Sequence, residues 1–520
     1  MPSPVPSSTP ASNATAPAAG FAAIDAALLG PRKPPFVPAD IPRWLLAALV
    51  LCLIVGLARI FMLWAHVPLI ALANSYDEVR YSACFDLYPD RDASIPPTRN
   101  SPEAPFARYR FTPNASPICY WSTELAFQGT AALVYRLQQA TTGEEAHSVR
   151  WIGAFKIAAL IALWCAFSVA WLRRREPWSA LANGLLLPIL FADPAATIYL
   201  NTYYAEWTAL LCLYALVGLV LLHEGKPARG RAWGLIALAA FALALSKIQH
   251  IVLPLGCALM VLALGWWRER TLPWQGRALL IGAVLCIGVQ VVQLQRDSDA
   301  IRAINVFNQA DVVFTALLPN ASNPAATAQR LGLPAACLQY SGLRAWQMPG
   351  FPADLCPELR EVTRGRELGL LLREPDLTLR LGWNGLGSLT SWLAPGLGLV
   401  EGGVFAPLPA EFFSLSAWLA TPLLRLILLG TPFAAMATLL LMRQRWRAAA
   451  RLYLFTGLTL VVTLGTLTVT VLGDGLADVP KQGHLIFAMA VAWWVGALVL
   501  ALQQFLPRPL AAFQRDRGWP

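Results

Sequence analysis

Charge is what this sequence has least of. Only 13% of its 520 residues are charged and 57% are hydrophobic, where a soluble protein of that length carries about a quarter charged residues. The shortage runs along most of the chain, which excludes a soluble domain held by a single anchor. No CxxC pair and no Cys/His ligand spacing occurs, so no metal centre is indicated and no metal ligand is assigned. Internal repeats of the kind that mark many transporters are also missing. The first 40 residues hold no long apolar stretch and are rich in Pro, Ala and Ser. They do not read as a cleavable signal, and residues 1–42 are expected to be a disordered cytoplasmic tail.

What is present is a series of long apolar runs separated by small basic clusters. The net charge of +10 at first suggests nucleic acid. Its distribution excludes that partner. The basic residues sit between apolar runs, at Arg173 to Arg175, Lys226 with Arg229 and Arg231, Arg268 with Arg270, and Arg443 with Arg445 and Arg447. That is how cytoplasmic loops of membrane proteins are marked. The 20 Trp residues fit two long water–lipid interfaces.

Following the apolar runs and placing each cluster inside predicts an all-α fold, a polytopic membrane helix bundle of about ten transmembrane helices. The spans are 44–65, 151–172, 178–192, 206–222, 233–246, 251–267, 279–292, 415–441 (kinked near Pro422), 453–472 and 485–506. The membrane domain is 43–507, with long extracytoplasmic loops at about 66–150 and 293–412 and a cytoplasmic tail at 508–520. Within these loops, 123–139 reads as an amphipathic interfacial helix and 386–399 as a re-entrant or interfacial segment. Arg59 interrupts the first span and should face the protein interior or snorkel outward. Of nine cysteines, five lie in apolar runs. The other four fall two per outer loop, Cys84 with Cys119 and Cys337 with Cys356; each pair can form a disulfide in an oxidising compartment or stay as thiols.

With topology placed, the polar segments share one side. Tyr76 to Tyr81, Asp193-Pro194, Tyr199 to Glu206, Ser246 to His250, and Gly473-Asp474-Gly475 with Lys481, Gln482 and His484 all emerge at the extracytoplasmic ends of helices. Depth adds to this. The 14 residues from Trp233 to Lys247 reach about 21 Å, short of a hydrocarbon core of roughly 30 Å. Lys247 and Asp193 should therefore sit in a recess below the surface. Plainer alternatives stand beside each assignment. Lys247 and Asp193 can form a structural ion pair, Asp77-Glu78 can favour a helix N-terminus, and Tyr203 and Tyr204 can be interface aromatics. The Gly-Asp-Gly stretch can be turn chemistry, and His250 and His484 can be uncoordinated.

A recess with carboxylates, a lysine and several aromatics suits a lipid-linked group carrying a phosphate at the membrane and a sugar outside. Lys247 would neutralise the phosphate. A carboxylate would take the proton from an acceptor hydroxyl as the bond to the leaving phosphate breaks.

The segment Tyr76-Asp77-Glu78-Val79-Arg80-Tyr81, opening the first outer loop, resembles the acidic signature of the GT-C superfamily of integral membrane glycosyltransferases. The segments 199–206, 246–250 and 473–475 with Lys481 resemble a poorly characterised bacterial group within it. So do Asn305-Val306-Phe307-Asn308, Leu317-Leu318-Pro319 and Leu331-Gly332-Leu333-Pro334. Gln482-Gly483 separates Lys481 from His484, where that pattern has Lys and His adjacent. The resemblance implies a bacterial inner-membrane enzyme of the cell envelope, its active site facing the periplasm. It would move a sugar from a polyprenyl-phosphate donor to an extracytoplasmic glycan, lipid or protein. Asp77 would be the catalytic base, with Glu78 its neighbour. Asp193, Tyr199, Asn201, Tyr203, Tyr204, Glu206, Lys247, Gln249, His250, Asp474 and Lys481 would bind substrate. No cofactor is demanded, and the carboxylates are compatible with a divalent cation. The alternatives are a flippase or transporter of lipid-linked sugars, which tends to place polar residues nearer the midplane, and a polymerase or ligase of the O-antigen type.

Overall fold

The computed structural model describes residues 41–72, 75–99, 105–116, 118–228, 230–389, 393, 398–441 and 446–505. The chain divides into two units, 1–44 and 45–520. Of the first, residues 41–44 are described, where helix α1 begins. The rest of the expected tail at 1–42, and that at 508–520, lie outside the described residues, as does most of 390–397 in the expected re-entrant segment.

The fold is mostly helical, and its long helices stand at the apolar runs. Among the described residues seven are long and apolar enough to cross a bilayer. They are α1 (Arg43–Trp64), α4 (Arg150–Arg173), α8 (Val252–Glu269, with the 3-10 turn before it), α9 (Trp274–Arg296), α13 (Pro422–Leu441), α14 (Trp446–Asp474) and α15 (His484–Phe505). Three shorter apolar helices, α5 (Pro177–Leu186, run on by a π-helical turn to Phe191), α6 (Glu206–Leu222) and α7 (Gly230–Ser246), stand where the third to fifth spans were expected. At 17 residues each, α6 and α7 reach about 26 Å. Twelve α6 residues are buried around the helix, as its uniformly apolar sequence requires. The expected kink near Pro422 is a break. A short helix Leu415–Leu419 ends before Pro422 starts α13, where its missing N–H has no helical partner to lose. Arg59 turns inward, donating to the carbonyls of Pro188 (2.6 Å) and Phe413 (3.1 Å).

The first long loop corrects the all-α expectation. It holds helix α2 (Ser75–Ser82), helix α3 (Leu125–Thr142) where an interfacial helix was expected, and a three-stranded antiparallel sheet. The strands β1 (Leu87–Pro89), β2 (Arg108–Phe111) and β3 (Ala146–Ser148) pair in the order β1-β2-β3, with Tyr109 opposite both Pro89 and His147. Strands of three or four residues are too short for alternation to show in sequence. Sheet and α3 close over a core of Leu69, Leu87, Tyr109, Tyr135, Ile152 and Tyr203. Both outer-loop cysteine pairs are disulfides, Cys84–Cys119 and Cys337–Cys356. The first ties the 3-10 turn after α2 to the segment leading into α3.

The second long loop contributes three helices that matter below, α10 (Ser298–Asp311), α11 (Arg364–Arg373) and α12 (Pro375–Ser388). Within the bundle, α7 and α9 approach so closely at Gly282 that a Cβ there would stand 2.2 Å from the Ala237 carbonyl oxygen and 2.8 Å from Ala240 Cβ. Small residues permit such contact between membrane helices. Gly282→Ala is expected to cost about 1–3 kcal/mol through the forced backbone shift, read as a lower melting temperature in detergent. Gly288→Ala, on the same helix with nothing within 4 Å, is the matched control, and equal melting of the two would refute the packing argument.

Candidate functional site

Each polar tip is set by a helix that stops at the end away from the basic clusters. Helix α7 leaves its cluster at Gly230 and ends at Ser246. Lys247 is extended (φ −147°), and a 3-10 turn Ile248–Ile251 leads back into α8. Lys247, Gln249 and His250 thus occupy the tip of a tight reversal. Ser246 Oγ meets His250 Nδ1 at 2.8 Å, and Ser122 Oγ donates to the Ser246 carbonyl at 2.7 Å. A second reversal, the helical turn Val479–Gln482 between α14 and α15, carries Lys481 and Gln482.

The two tips meet over the start of α6. Lys247 Nζ lies 2.6 Å from Glu206 Oε1 and donates to Gln482 Oε1 at 3.3 Å; Gln249 Nε2 donates to the same oxygen at 2.5 Å. Lys481 Nζ stands 4.5 Å above the centre of the Tyr204 ring, a cation–π contact. Lys481 and His484 both act on the Glu206 carboxylate electrostatically. The His250 and His484 rings are 6.4 Å apart. Glu206 is fully buried, yet its second oxygen, Oε2, has no hydrogen-bond partner among the described residues. A buried acceptor left without a partner in this way calls for a bound group or a functional role.

The segment between Ile198 and Glu206 is a series of turns. What holds it is a buried ion pair that sequence reasoning missed. Lys156, on α4, lies 2.9 Å from Glu124, both side chains fully buried. The same ammonium donates to the carbonyls of Tyr199 (3.3 Å), Thr202 (2.9 Å) and Tyr204 (3.4 Å), and Thr208 Oγ1 donates to Glu124. A lysine in the middle of an apolar run is itself a signal of function. Gln128 adds a bond to the Tyr203 carbonyl at 3.1 Å.

Glu78 joins this assembly through an intermediary. It is buried and accepts from Tyr109 Oη at 2.6 Å, and the Tyr109 ring centre is 4.5 Å from that of Tyr203. Burial and the Glu78 charge push the Tyr109 phenol well above its ordinary pKa, so Tyr109 stays a donor at every physiological pH. The backbone of Asp77 falls in α2; its side chain lies outside the described residues.

Other predicted members do not gather here. Asp193 caps the helical turn Pro194–Thr197, accepting from Ala195 N at 3.0 Å, and also accepts from Ser414 Oγ (2.9 Å) and Ser416 N (3.2 Å). It is therefore a cap, and the carboxylate paired with Lys247 is Glu206. The Asp-Pro dipeptide carries that signature, a capping acid before a proline at the first helical position. Asn201 donates to the Trp64 carbonyl at 3.0 Å, and Tyr199 packs edge-on against Tyr204 at 5.9 Å. Asp474 ends α14 beside Asp311, and Gly475 after it takes φ +62° where a Cβ would lie 2.2 Å from the Asp311 carbonyl oxygen. The turn alternative for this stretch holds at Gly475. Cys337, Cys356 and Glu358 also come together, but with the sulfurs joined in a disulfide they are not a thiolate ligand set.

Asp311 has a pH-dependent consequence. Burial, then the Asp474 charge, pushes its carboxyl up to about 8. The folded chain therefore keeps a proton that the unfolded chain releases above about pH 4. Stability should fall as pH rises between these values, by on the order of 1 kcal/mol per unit, and level off above 8. Asp311→Asn keeps an oxygen for the Ala345 amide, which bonds Oδ1 at 2.7 Å. Melting temperatures followed from pH 5 to 9 should decline less steeply in that variant; parallel curves would refute the assignment.

Fold and helix ends together define a polytopic, multi-pass membrane protein with a buried polar cluster at one end of its bundle. Residues 107–347 match the family model described as the YfdI N-terminal transmembrane domain. The matched stretch contains Tyr109, Glu124, Lys156, the 199–206 turns and Lys247; Glu78, Lys481 and His484 lie outside it. No curated protein and no solved structure matches the chain.

Proposed function

We propose that the chain is a glycosyltransferase of the GT-C type that moves a sugar from a polyprenyl-phosphate donor to an extracytoplasmic glycan, lipid or protein. The observation that carries this reading is the meeting of Lys247, Lys481 and Tyr204 around the half-satisfied, buried carboxylate of Glu206 at the end of the bundle away from the basic clusters. Two ammonium groups near one aromatic ring, Lys481 over Tyr204 and Lys247 on Glu206, suit a phosphate attached to a sugar. Lys247 and Lys481 take the phosphate oxygens as point charges, and Tyr204 offers a face for the sugar. Glu206 Oε2 accepts from a sugar hydroxyl.

In the reaction the acceptor oxygen forms a bond to the anomeric carbon while the bond from that carbon to the phosphate oxygen breaks. The electron pair leaves with polyprenyl phosphate, and the acceptor proton passes to Asp77. The lysines act mainly on the leaving group, where negative charge grows in the transition state. The side facing the periplasm and the inner membrane of a bacterium are part of the same proposal, supported by the positions of the arginine clusters. The test is transfer from a radiolabelled polyprenyl-phosphate sugar in membranes, comparing the native chain with Lys247→Met and Asp77→Asn.

A further inference from the structure

Helices α11 and α12 form a hairpin in the second long loop with one face left uncovered. Leu368 and Leu372 on α11, and Leu379 and Trp383 on α12, are 47%, 84%, 74% and 69% exposed. Each pair is spaced i, i+4 and so shares one helix face. The opposite faces are buried through Leu370, Leu377 and Leu381. Such exposure matches the outward residues of membrane helix α1, where Leu51 and Ile54 are each 60% exposed.

Depth identifies what covers the stripe. Gly385 of α12 sits against α14 so closely that a Cβ would lie 2.9 Å from Leu467 Cδ1 and 3.2 Å from Val471 Cγ2. Those residues precede Asp474, the last of α14, by seven and three positions, or about 10 and 5 Å along the helix. The end of α12 is therefore packed at the level of the membrane-crossing part of α14, and Trp383 is half a turn away from Gly385. A tryptophan at that level is at home in the interfacial belt. Just past α12, Leu389 contacts Gly483, whose Cβ would lie 2.3 Å from Leu389 Cδ2. Gly483 stands between Gln482 and His484 of the polar cluster.

We propose that α11 and α12 insert the stripe Leu368–Leu372–Leu379–Trp383 into the hydrocarbon of the leaflet on the site's side, and that the inserted hairpin is the lip past which a lipid-linked substrate reaches Lys481 and Lys247. The insertion stands on packing and depth alone, whereas the lip role rests on the transfer reading above. The occupant is lipid because the end of the hairpin packs at the depth of the membrane-crossing part of α14. Arg373, exposed at the turn between the helices, is long enough to keep its charge in the headgroups.

The test uses the full chain in phospholipid vesicles, with Cys165, the exposed free cysteine, changed to Ser. Spin labels are placed at Leu372→Cys and Leu379→Cys, with Leu51→Cys as the lipid reference and Arg302→Cys as the water reference. Both hairpin labels should relax faster with oxygen than with a polar nickel chelate, as the lipid reference does. Water-like behaviour at both overturns insertion. Protection from both reagents overturns lipid as the occupant and makes it a protein surface. For the lip, Leu372→Glu combined with Leu379→Glu should lower transfer from a long-chain polyprenyl-phosphate sugar and spare a short-chain soluble donor; equal loss on both overturns it. If the native chain transfers from neither donor, the transfer reading and the lip fall together, and the label result still decides insertion.

Discussion

Lys156→Met is expected to destabilise the protein by about 3–5 kcal/mol, the usual cost of removing one partner from a buried ion pair. The reason is what remains. Glu124 is fully buried, and its compensating charge 2.9 Å away is gone. Burial already pushes the Glu124 carboxyl up against the pull of Lys156, so without the lysine it takes a proton or the site opens. Three carbonyls of the 199–204 turns lose their shared donor as well, and buried carbonyls without donors are costly. The double variant Lys156→Met, Glu124→Gln removes both charges and should recover a large part of the loss, because a neutral amide beside Thr208 needs no counterion. Melting in detergent of the two single variants and the double closes the cycle. A double variant no more stable than Lys156→Met would show that the pair is not the cause.

The second large effect is on transfer. Asp77→Asn should lower the rate by about 10²–10⁴, the range for losing a general base, with donor binding little changed. Lys247→Met should also lose at least about tenfold, the equivalent of 1.4 kcal/mol of transition-state stabilisation, but in a different pattern. On the proposed reading Lys247 would hold a phosphate in both ground and transition states, so KM for the donor should rise together with the fall in kcat. It also leaves Glu206 buried without its 2.6 Å partner, so the matched double Lys247→Met, Glu206→Gln separates lost stability from lost catalysis. Unchanged transfer in Asp77→Asn would remove that residue as base. Unchanged KM in a folded Lys247→Met variant would remove the phosphate role.

The bundle was legible because its signals are large and local. Ten apolar runs and the arginine clusters between them follow from the cost of burying charge in lipid, and the helices stand at those runs. The sidedness of Glu206, Lys247 and Lys481 followed for the same reason, since polar residues at the ends of apolar helices share a surface once topology is set. Pairing was not legible. Sequence reasoning paired Lys247 with Asp193, and the partner it has, Glu206, depends on which helix packs beside α7. Nor did sequence reasoning weigh Lys156 or Glu124. The first was passed over within an apolar run and the second sits in a loop, and neither shows its worth until the carbonyls they serve fold back to meet them. Tyr109 was hidden in a strand too short to carry a pattern.

The polar cluster has an order of assembly built into it. Glu206 and Lys247 are 41 residues apart, while Gln482, which bonds Lys247, lies 235 residues beyond it. The first two can pair as soon as α6 and α7 lie side by side in the membrane. The second lysine and its neighbours arrive only with the last hairpin, well after residue 347, where the family match ends. During synthesis the cluster is therefore half-built for much of the chain's emergence, with one lysine neutralised by its glutamate and the other absent. On the transfer reading, a chain cut before Lys481 would lack one of the two lysines proposed to hold the phosphate.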